Sequence, residues 1–200
     1  MRTVIFLWLQ SQTFYKELQA SAVEPIASAQ RSDQRWADIG CSTGLLTRLA
    51  HRLHYHVTGY DLDVVSLKVA KLLSSRLKDI HYIHQDFHTI HNKFDVVSAT
   101  SLLSVVENKT ESLNKLIDLL KNNDATLIII EPTEKMTVKN VQKTIVDFKT
   151  FWLYKGLLLW AKAREGKAVS TEVFENVASI EIQHQYHIND MVRITYIKKN

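Results

Sequence analysis

The segment Asp38-Ile39-Gly40-Cys41-Ser42-Thr43-Gly44 brings a carboxylate, two glycines and two hydroxyls together in one short stretch. Glycine tolerates positive φ and lets a ligand approach the backbone closely. A helix starting near Gly44 would offer unpaired N–H groups and the positive end of its dipole to an anionic group. Asp61 follows seventeen positions after Gly44. A carboxylate there can accept both hydroxyls of a ribose. Next to it, Leu62 can lie against an adenine face, and Asp63 suits the N-cap of a following helix. Gln85-Asp86-Phe87 adds a carboxylate able to accept from an exocyclic adenine amine and a ring able to pack on its edge. The chemistry these residues share is the binding of an adenosine-containing ligand.

Such residues work together only if the fold brings them to one edge. From Arg35 onward, short apolar runs alternate with helical patterns. WADIG, HVTGYD, IHYIHQD, FDVVSAT and ATLIIIEP read as strands. GLLTRLAHRL, DVVSLKVAKLLSSRL and ENKTESLNKLIDLLKNN read as helices, the second with Val64, Leu67, Ala70 and Leu73 on one side. The nearly continuous apolar run of FDVVSAT predicts a strand buried on both faces. Alternation of this kind implies βαβ units, a parallel sheet and a ligand site outside the carboxyl ends of its strands. Asp38, Asp61 and Asp86 then stand at the ends of three consecutive strands.

Two features break the alternation. Thr137 to Arg164 has no interior proline and reads as one long helix, well above the mean of about 11 residues. VASIEIQHQYHI and MVRITYIKK read as strands meeting in a hairpin at Asn189–Asp190. Before the first strand the chain reads as helical, with Phe14, Leu18, Val23 and Ile26 at helical spacing and a kink or boundary at Pro25. With no repeat, linker or low-complexity stretch, residues 1–200 read as one domain. Its parts are a helical cap (1–34), a cofactor-binding core (35–132), a helical lid or extension (133–170) and a C-terminal β-hairpin (171–200).

On these motifs the chain resembles the class I S-adenosylmethionine-dependent methyltransferases of small-molecule type, from about Arg35 to Pro132 and through the hairpin to the end. The family's glycine-rich motif is an acidic residue followed by three glycines at alternate positions. Asp38, Gly40 and Gly44 match it, and Ser42 replaces the middle glycine. The resemblance implies an α/β, Rossmann-like doubly wound sheet of order 3-2-1-4-5-7-6, with strand 7 antiparallel and helices on both faces. It also implies S-adenosylmethionine as cofactor and S-adenosylhomocysteine (SAH) as product. Asp38 and the loop Gly40, Cys41, Ser42 and Gly44 would surround the methionine moiety, and Asp61 would take the ribose. Leu62, Asp86 and Phe87 would hold the adenine, and Ser98-Ala99-Thr100 would run under the cofactor beside the acceptor. A nicotinamide-dependent dehydrogenase shares the strand–glycine–helix logic. Its G-x-G-x-x-G fingerprint fails here, because Leu45 stands where the third glycine belongs.

A sulfonium methyl group is already activated, so the protein must chiefly align donor and acceptor and exclude water. A general base is needed only when the acceptor has to lose a proton, and no catalytic residue is assigned. His81, His84, His88 and His91 cluster around the third strand, with His88 the best placed for a base. The odd spacing of His81 and His84 on a strand turns them to opposite faces, and no metal site is read there. An Asn-Pro-Pro motif is lacking, and the single cysteine, Cys41, lies in the cofactor loop. This disfavours amino-methylation of nucleic-acid bases, cytosine C5 methylation and arsenite methylation. The leading reading is methylation of a small, partly apolar acceptor. An RNA or protein methyltransferase, and a non-catalytic binding module, are the alternatives.

KTFWLYKGLLLWAKAREGK supplies aromatic and leucine side chains for a lid over the acceptor pocket. Residues 148–164 also suit a homodimer or membrane-surface contact, or plain packing on the sheet. A net charge of +4 and a pI near 9.1 lean weakly toward anionic partners such as nucleic acid. One cysteine excludes a disulfide framework. The apolar run Val4–Leu9 is too short for a signal peptide, and no run approaches the ~20 residues of a membrane span. These features predict a cytoplasmic protein.

Overall fold

The computed structural model describes residues 2–26, 33–144, 151–175, 177 and 180–199. Seven strands join in one sheet: β1 Arg35–Ile39, β2 His56–Asp61, β3 Ile80–His84, β4 Val96–Thr100, β5 Thr126–Pro132, β6 Ile180–His187 and β7 Val192–Lys199. Their order is β3-β2-β1-β4-β5-β7-β6. The first five pair in parallel, and β7 runs antiparallel to both β5 and β6. Order and direction are those the family resemblance implies.

Strand periodicity distributes the core over two faces. Along β5, Ile128 and Ile130 join one cluster, and Leu127 and Ile129 the other. The first face is covered by α2 (Thr13–Val23), α3 (Leu45–Arg52) and α7 (Phe151–Arg164), through Tyr15, Leu18, Leu46, Ala50, Leu157 and Trp160. The second is covered by α5 (Lys109–Asp118) and α8 (Glu172–Glu175), through Leu113, Leu116 and Phe174. Trp36 is fully buried against Tyr55, rings 5.1 Å apart and edge-on, and its indole N–H donates to Ser98 Oγ at 2.8 Å. Its area is thus buried without an orphaned donor.

The remaining helices are α1 (Arg2–Ser11), which precedes α2, α4 (Val64–Leu73) and α6 (Val138–Lys143). Pro25 lies in the 3-10 turn Glu24–Ile26 that ends α2. In α4 the expected apolar side is only half right. Leu67 and Ala70 are buried, but Val64 and Leu73 are 43% and 48% exposed. Small residues at four-residue spacing, Ser66, Ala70 and Ser74, turn inward instead. Asp63 fixes that orientation as the N-cap, accepting from Val65 N–H and Ser66 Oγ.

The single helix expected over Thr137–Arg164 is not formed. Glu165, just past α7, accepts from Val138 N–H at the start of α6. A continuous helix would hold those ends about 40 Å apart. The chain doubles back between α6 and α7, and residues 145–150 lie outside those described. The terminal hairpin is also wider than a two-residue turn. His187 pairs with Val192, and Ile188, Asn189 and Asp190 between them all take positive φ. No described helix is long and apolar enough to cross a membrane.

Candidate active site

At the end of β1 the chain turns through a loop whose alternate residues are left-handed: Gly40 at φ 69°, Ser42 at φ 49° and Gly44 at φ 76°. The serine in the middle adopts the backbone form a glycine would take, at a cost of roughly 1–2 kcal/mol for an L-residue. Three hydrogen bonds hold the loop down. Gly40 and Cys41 both donate to the Tyr60 carbonyl, at 2.8 and 3.1 Å, and Ser42 N–H donates to Asp61 Oδ2 at 2.7 Å. The other Asp61 oxygen accepts from Asp63 N–H at 2.8 Å. The carboxylate at the end of β2 is therefore locked in place by the loop and by the start of α4. Each of its oxygens keeps acceptor capacity.

Gly59 and Gly44 show how closely this region packs. A Cβ on Gly59 would lie 2.8 Å from Cys41 Sγ, and one on Gly44 would lie 2.8 Å from Tyr82 Cε1. Cys41 is buried there, and burial, reinforced by Asp38 and Asp61, raises its thiol far above the ordinary range. It is an inert packing group rather than a nucleophile.

Asp38 lies beneath the loop with both oxygens taken. Thr47 Oγ donates to one at 2.6 Å, and Ser98 Oγ to the other at 2.9 Å. It ties α3 and β4 to β1. Burial pushes its pKa up to about 6, partly opposed by those two bonds. Glu131, at the end of β5, accepts from Leu103 N–H at 2.7 Å and Ser104 N–H at 3.3 Å, fixing the loop after β4. Burial pushes it up to about 7.

Both carboxyls thus bind protons more tightly folded than unfolded. Their stabilisation is complete below pH ~4, the unfolded range, and is lost as pH rises through 6 to 7. The ligand-free protein should therefore lose stability between pH 5 and 8, by on the order of 4 kcal/mol from these groups. Urea midpoints across that range check this. Asp38→Asn together with Glu131→Gln should flatten the slope, and an unchanged slope in the double variant would contradict the assignment.

A cavity of about 420 Å³ opens outside the carboxyl ends of β1, β2 and β4. Of the expected residues, Gly40, Ser42, Asp61, Leu62 and Phe87 line it. Asp38 and Cys41 instead face a small adjoining void of about 20 Å³, shared with Gln10, Tyr15 and Gln19. Gly44 serves as the N-cap of α3 and is not among the lining residues of either. Asp86 is exposed and also not among them. Its carboxylate accepts from His88 N–H and caps the 3-10 turn Phe87–Thr89. Ala99 is fully buried in β4, and the cavity wall begins one residue later with Thr100, Ser101 and Leu102.

Sequence reasoning missed Phe6 of α1 and Val105 and Val106 beyond β4, and it placed Arg164, at the end of α7, only within the stretch expected to form a lid or a membrane contact. No local motif marks them: Phe6 and Arg164 reach the cavity through the packing of α1 and α7, and the two valines through the course of the loop after β4. His81, His84, His88 and His91 are all exposed, and His88 stacks on the Phe87 ring at 4.1 Å. Among the described residues, no group of three His, Cys, Asp or Glu side chains could hold a metal ion. In α7, Leu157, Trp160 and Ala161 face inward, with Trp160 edge-on to Tyr15 at 5.2 Å. No large apolar side chain from Tyr154 to Arg164 is fully exposed, and Tyr154, Leu158 and Leu159 are half-buried. The side chains of Phe151 and Trp152 lie outside those described.

The family of methyltransferase domains matches residues 37–128, the stretch from β1 to β5 that carries the loop, Asp61 and Phe87. The chain therefore carries a methyltransferase domain, on the fold of the class I S-adenosylmethionine-dependent methyltransferases. The methyltransferase is 26% identical over 182 residues to the ubiquinone biosynthesis O-methyltransferase of Pseudoalteromonas translucida (strain TAC 125), covering 82% of this chain and 75% of that one. It is 27% identical to the mitochondrial ubiquinone biosynthesis O-methyltransferase of Arabidopsis thaliana, over 69% of this chain and 44% of that protein. Among solved structures, the plantazolicin methyltransferase BpumL, in complex with a monoazolic desmethylPZN analog and SAH, superposes with a TM-score of 0.70. That match is 14% identical and covers 98% of this chain and 89% of the other. S-adenosylmethionine is the methyl donor of the family.

Proposed function

We propose that the methyltransferase binds S-adenosylmethionine along the loop Gly40–Gly44 and methylates an oxygen of a small, partly apolar acceptor in the adjoining cavity. The observation that carries this reading is the Asp61 carboxylate, locked by two backbone N–H groups and lining a cavity together with the apolar Phe6, Leu102, Val105 and Val106. Asp61 accepts from the ribose hydroxyls, while Leu62 and Phe87 enclose the adenine. The exposed Asp86 sits close enough in sequence to meet the exocyclic amine. Asp38, Cys41, Ser42 and Gly44 shape the methionine end, and Ala99 supports the wall beneath it. Bound there, the cofactor supplies a methyl group on a sulfonium, which needs alignment more than activation. Phe6, Leu102, Val105 and Val106 exclude water from the acceptor side. An oxygen acceptor agrees with the names of the two relatives.

In this reading residues 1–34 and 133–170 form the cap and lid of a core spanning 35–132, closed by the hairpin at 171–200. The enzyme acts on its acceptor in the cytoplasm. The test is transfer of a labelled methyl group from S-adenosylmethionine to a panel of phenols, carboxylic acids, amines, bulk RNA and bulk protein. Turnover should be confined to the oxygen acceptors among the small molecules, the phenols and carboxylic acids. Label in RNA or protein alone would favour a macromolecular acceptor, and tight cofactor binding without transfer to anything would favour a non-catalytic module.

A further inference from the structure

We propose that the acceptor is an acid: an apolar or aromatic molecule whose anionic oxygen group is held by Arg164, with Ser101 on the same cavity wall. The inference rests on the methyltransferase reading of this cavity and adds the chemical class of the acceptor.

Arg164 stands in the last turn of α7 and lines the cavity together with Phe6, Ser101 and Leu102. Its Nε is buried without a hydrogen-bond partner, and the bond from Nη1 to the Ala163 carbonyl is long, at 3.4 Å. Neither ion pair among the described residues, Lys121–Asp95 or Lys135–Asp190, involves it. The carboxylate that acts on it most is Glu131. Both Glu131 oxygens, however, are already engaged by backbone N–H groups of the loop after β4. Burial also favours the neutral form of Glu131, so it answers the guanidinium charge weakly. A partly desolvated cation left in this state is costly, and an anion entering the cavity relieves it.

Ser101 points the same way. It is 3% exposed, its Oγ has no partner, and its backbone sits in the left-handed region at φ 54°. The strain is held by Ser101 N–H donating to the Ile130 carbonyl at 2.7 Å and by Ser104 Oγ donating to the Ser101 carbonyl at 2.9 Å. Strained, unpaired polar groups of this kind gather at ligand clamps. Two orphaned donors beside the apolar side chains of Phe6, Leu102 and Val105 describe a ring or chain with an acidic oxygen at one end.

The rival occupant is the carboxylate of the cofactor's own methionine end. A separate donor serves that end, since the buried Gln19 Nε2 is also unpartnered and lines the small void beside Asp38.

The experiment compares benzoate with its neutral counterpart benzamide, each titrated into protein saturated with SAH. Benzoate should bind at least about tenfold more tightly, and 0.5 M salt should reduce that preference. Arg164→Gln should bring the ratio to about one while changing SAH affinity less than about threefold, and Arg164→Lys should keep part of the preference. Equal binding of the two probes to the wild type, or no binding of benzoate, overturns the inference. So does a preference that survives Arg164→Gln while SAH binding weakens about tenfold, which would assign Arg164 to the cofactor. The wild-type comparison decides the matter even if a variant fails to fold. Failure of SAH itself to bind would defeat the underlying methyltransferase reading, a result separate from these.

Discussion

Replacing Asp61 with alanine is expected to weaken SAH binding by about 100-fold. Two ribose hydroxyls donating to a fixed carboxylate are charge-assisted bonds, worth roughly 1.5–3 kcal/mol each net of exchange with water, and the low end of that range gives a combined loss near 3 kcal/mol. The loss has a second source. Ser42 N–H and Asp63 N–H both end on Asp61, so its removal frees the middle of the loop Gly40–Gly44 and the start of α4 at once. Ser42 holds a left-handed φ of 49°, and without its acceptor that backbone has less reason to stay there. Asp61→Asn should fall between the two proteins, because its amide oxygen can keep one of the bonds. Calorimetric titration of the three proteins measures the series. An alanine variant within threefold of wild type would remove Asp61 from the site.

The second large effect is on folding. Gly44→Ala should cost about 2–4 kcal/mol. Of this, roughly 1–2 comes from placing an L-residue at φ 76°, and the rest from overpacking against Tyr82. Tyr82 cannot swing away freely, since its hydroxyl shares a hydrogen bond of 2.9 Å with Ser74, the residue that caps the end of α4. Gly166 provides the internal control. Its φ is nearly the same, 75°, but a Cβ there would meet nothing within 4 Å. Gly166→Ala should therefore show the conformational cost alone, about 1 kcal/mol. Urea midpoints of both variants separate the two contributions. Equal losses would mean that contact with Tyr82 plays no part in fixing the loop.

What could be read from the sequence was what local chemistry dictates. Five parallel strands, the glycine turn after Ile39 and the carboxylate ending β2 all follow from short-range patterns. The Asp63 cap was legible for the same reason, being set by residues within one helical turn. The failures were tertiary. Nothing in residues 137–164 shows that Glu165 bonds back to Val138, so a reversal of the chain read as one helix. The inward face of α4 was misjudged because small residues, Ser66 and Ala70, let it approach the sheet closely, and hydrophobicity alone favoured Val64 and Leu73. Arg164 and Phe6 belong to the cavity only because α7 and α1 pack over it. Asp86, singled out by its place after the third strand, is engaged in capping its own turn.

The most direct test of the account is calorimetric titration of SAH into the wild-type protein, followed by thermal unfolding at saturating ligand. One SAH should bind per chain, and a concentration of about 100 times the dissociation constant should stabilise the fold by about 2.7 kcal/mol. No binding heat and no shift in unfolding at millimolar SAH would contradict the claim that Asp61 and the loop from Gly40 to Gly44 form a cofactor site.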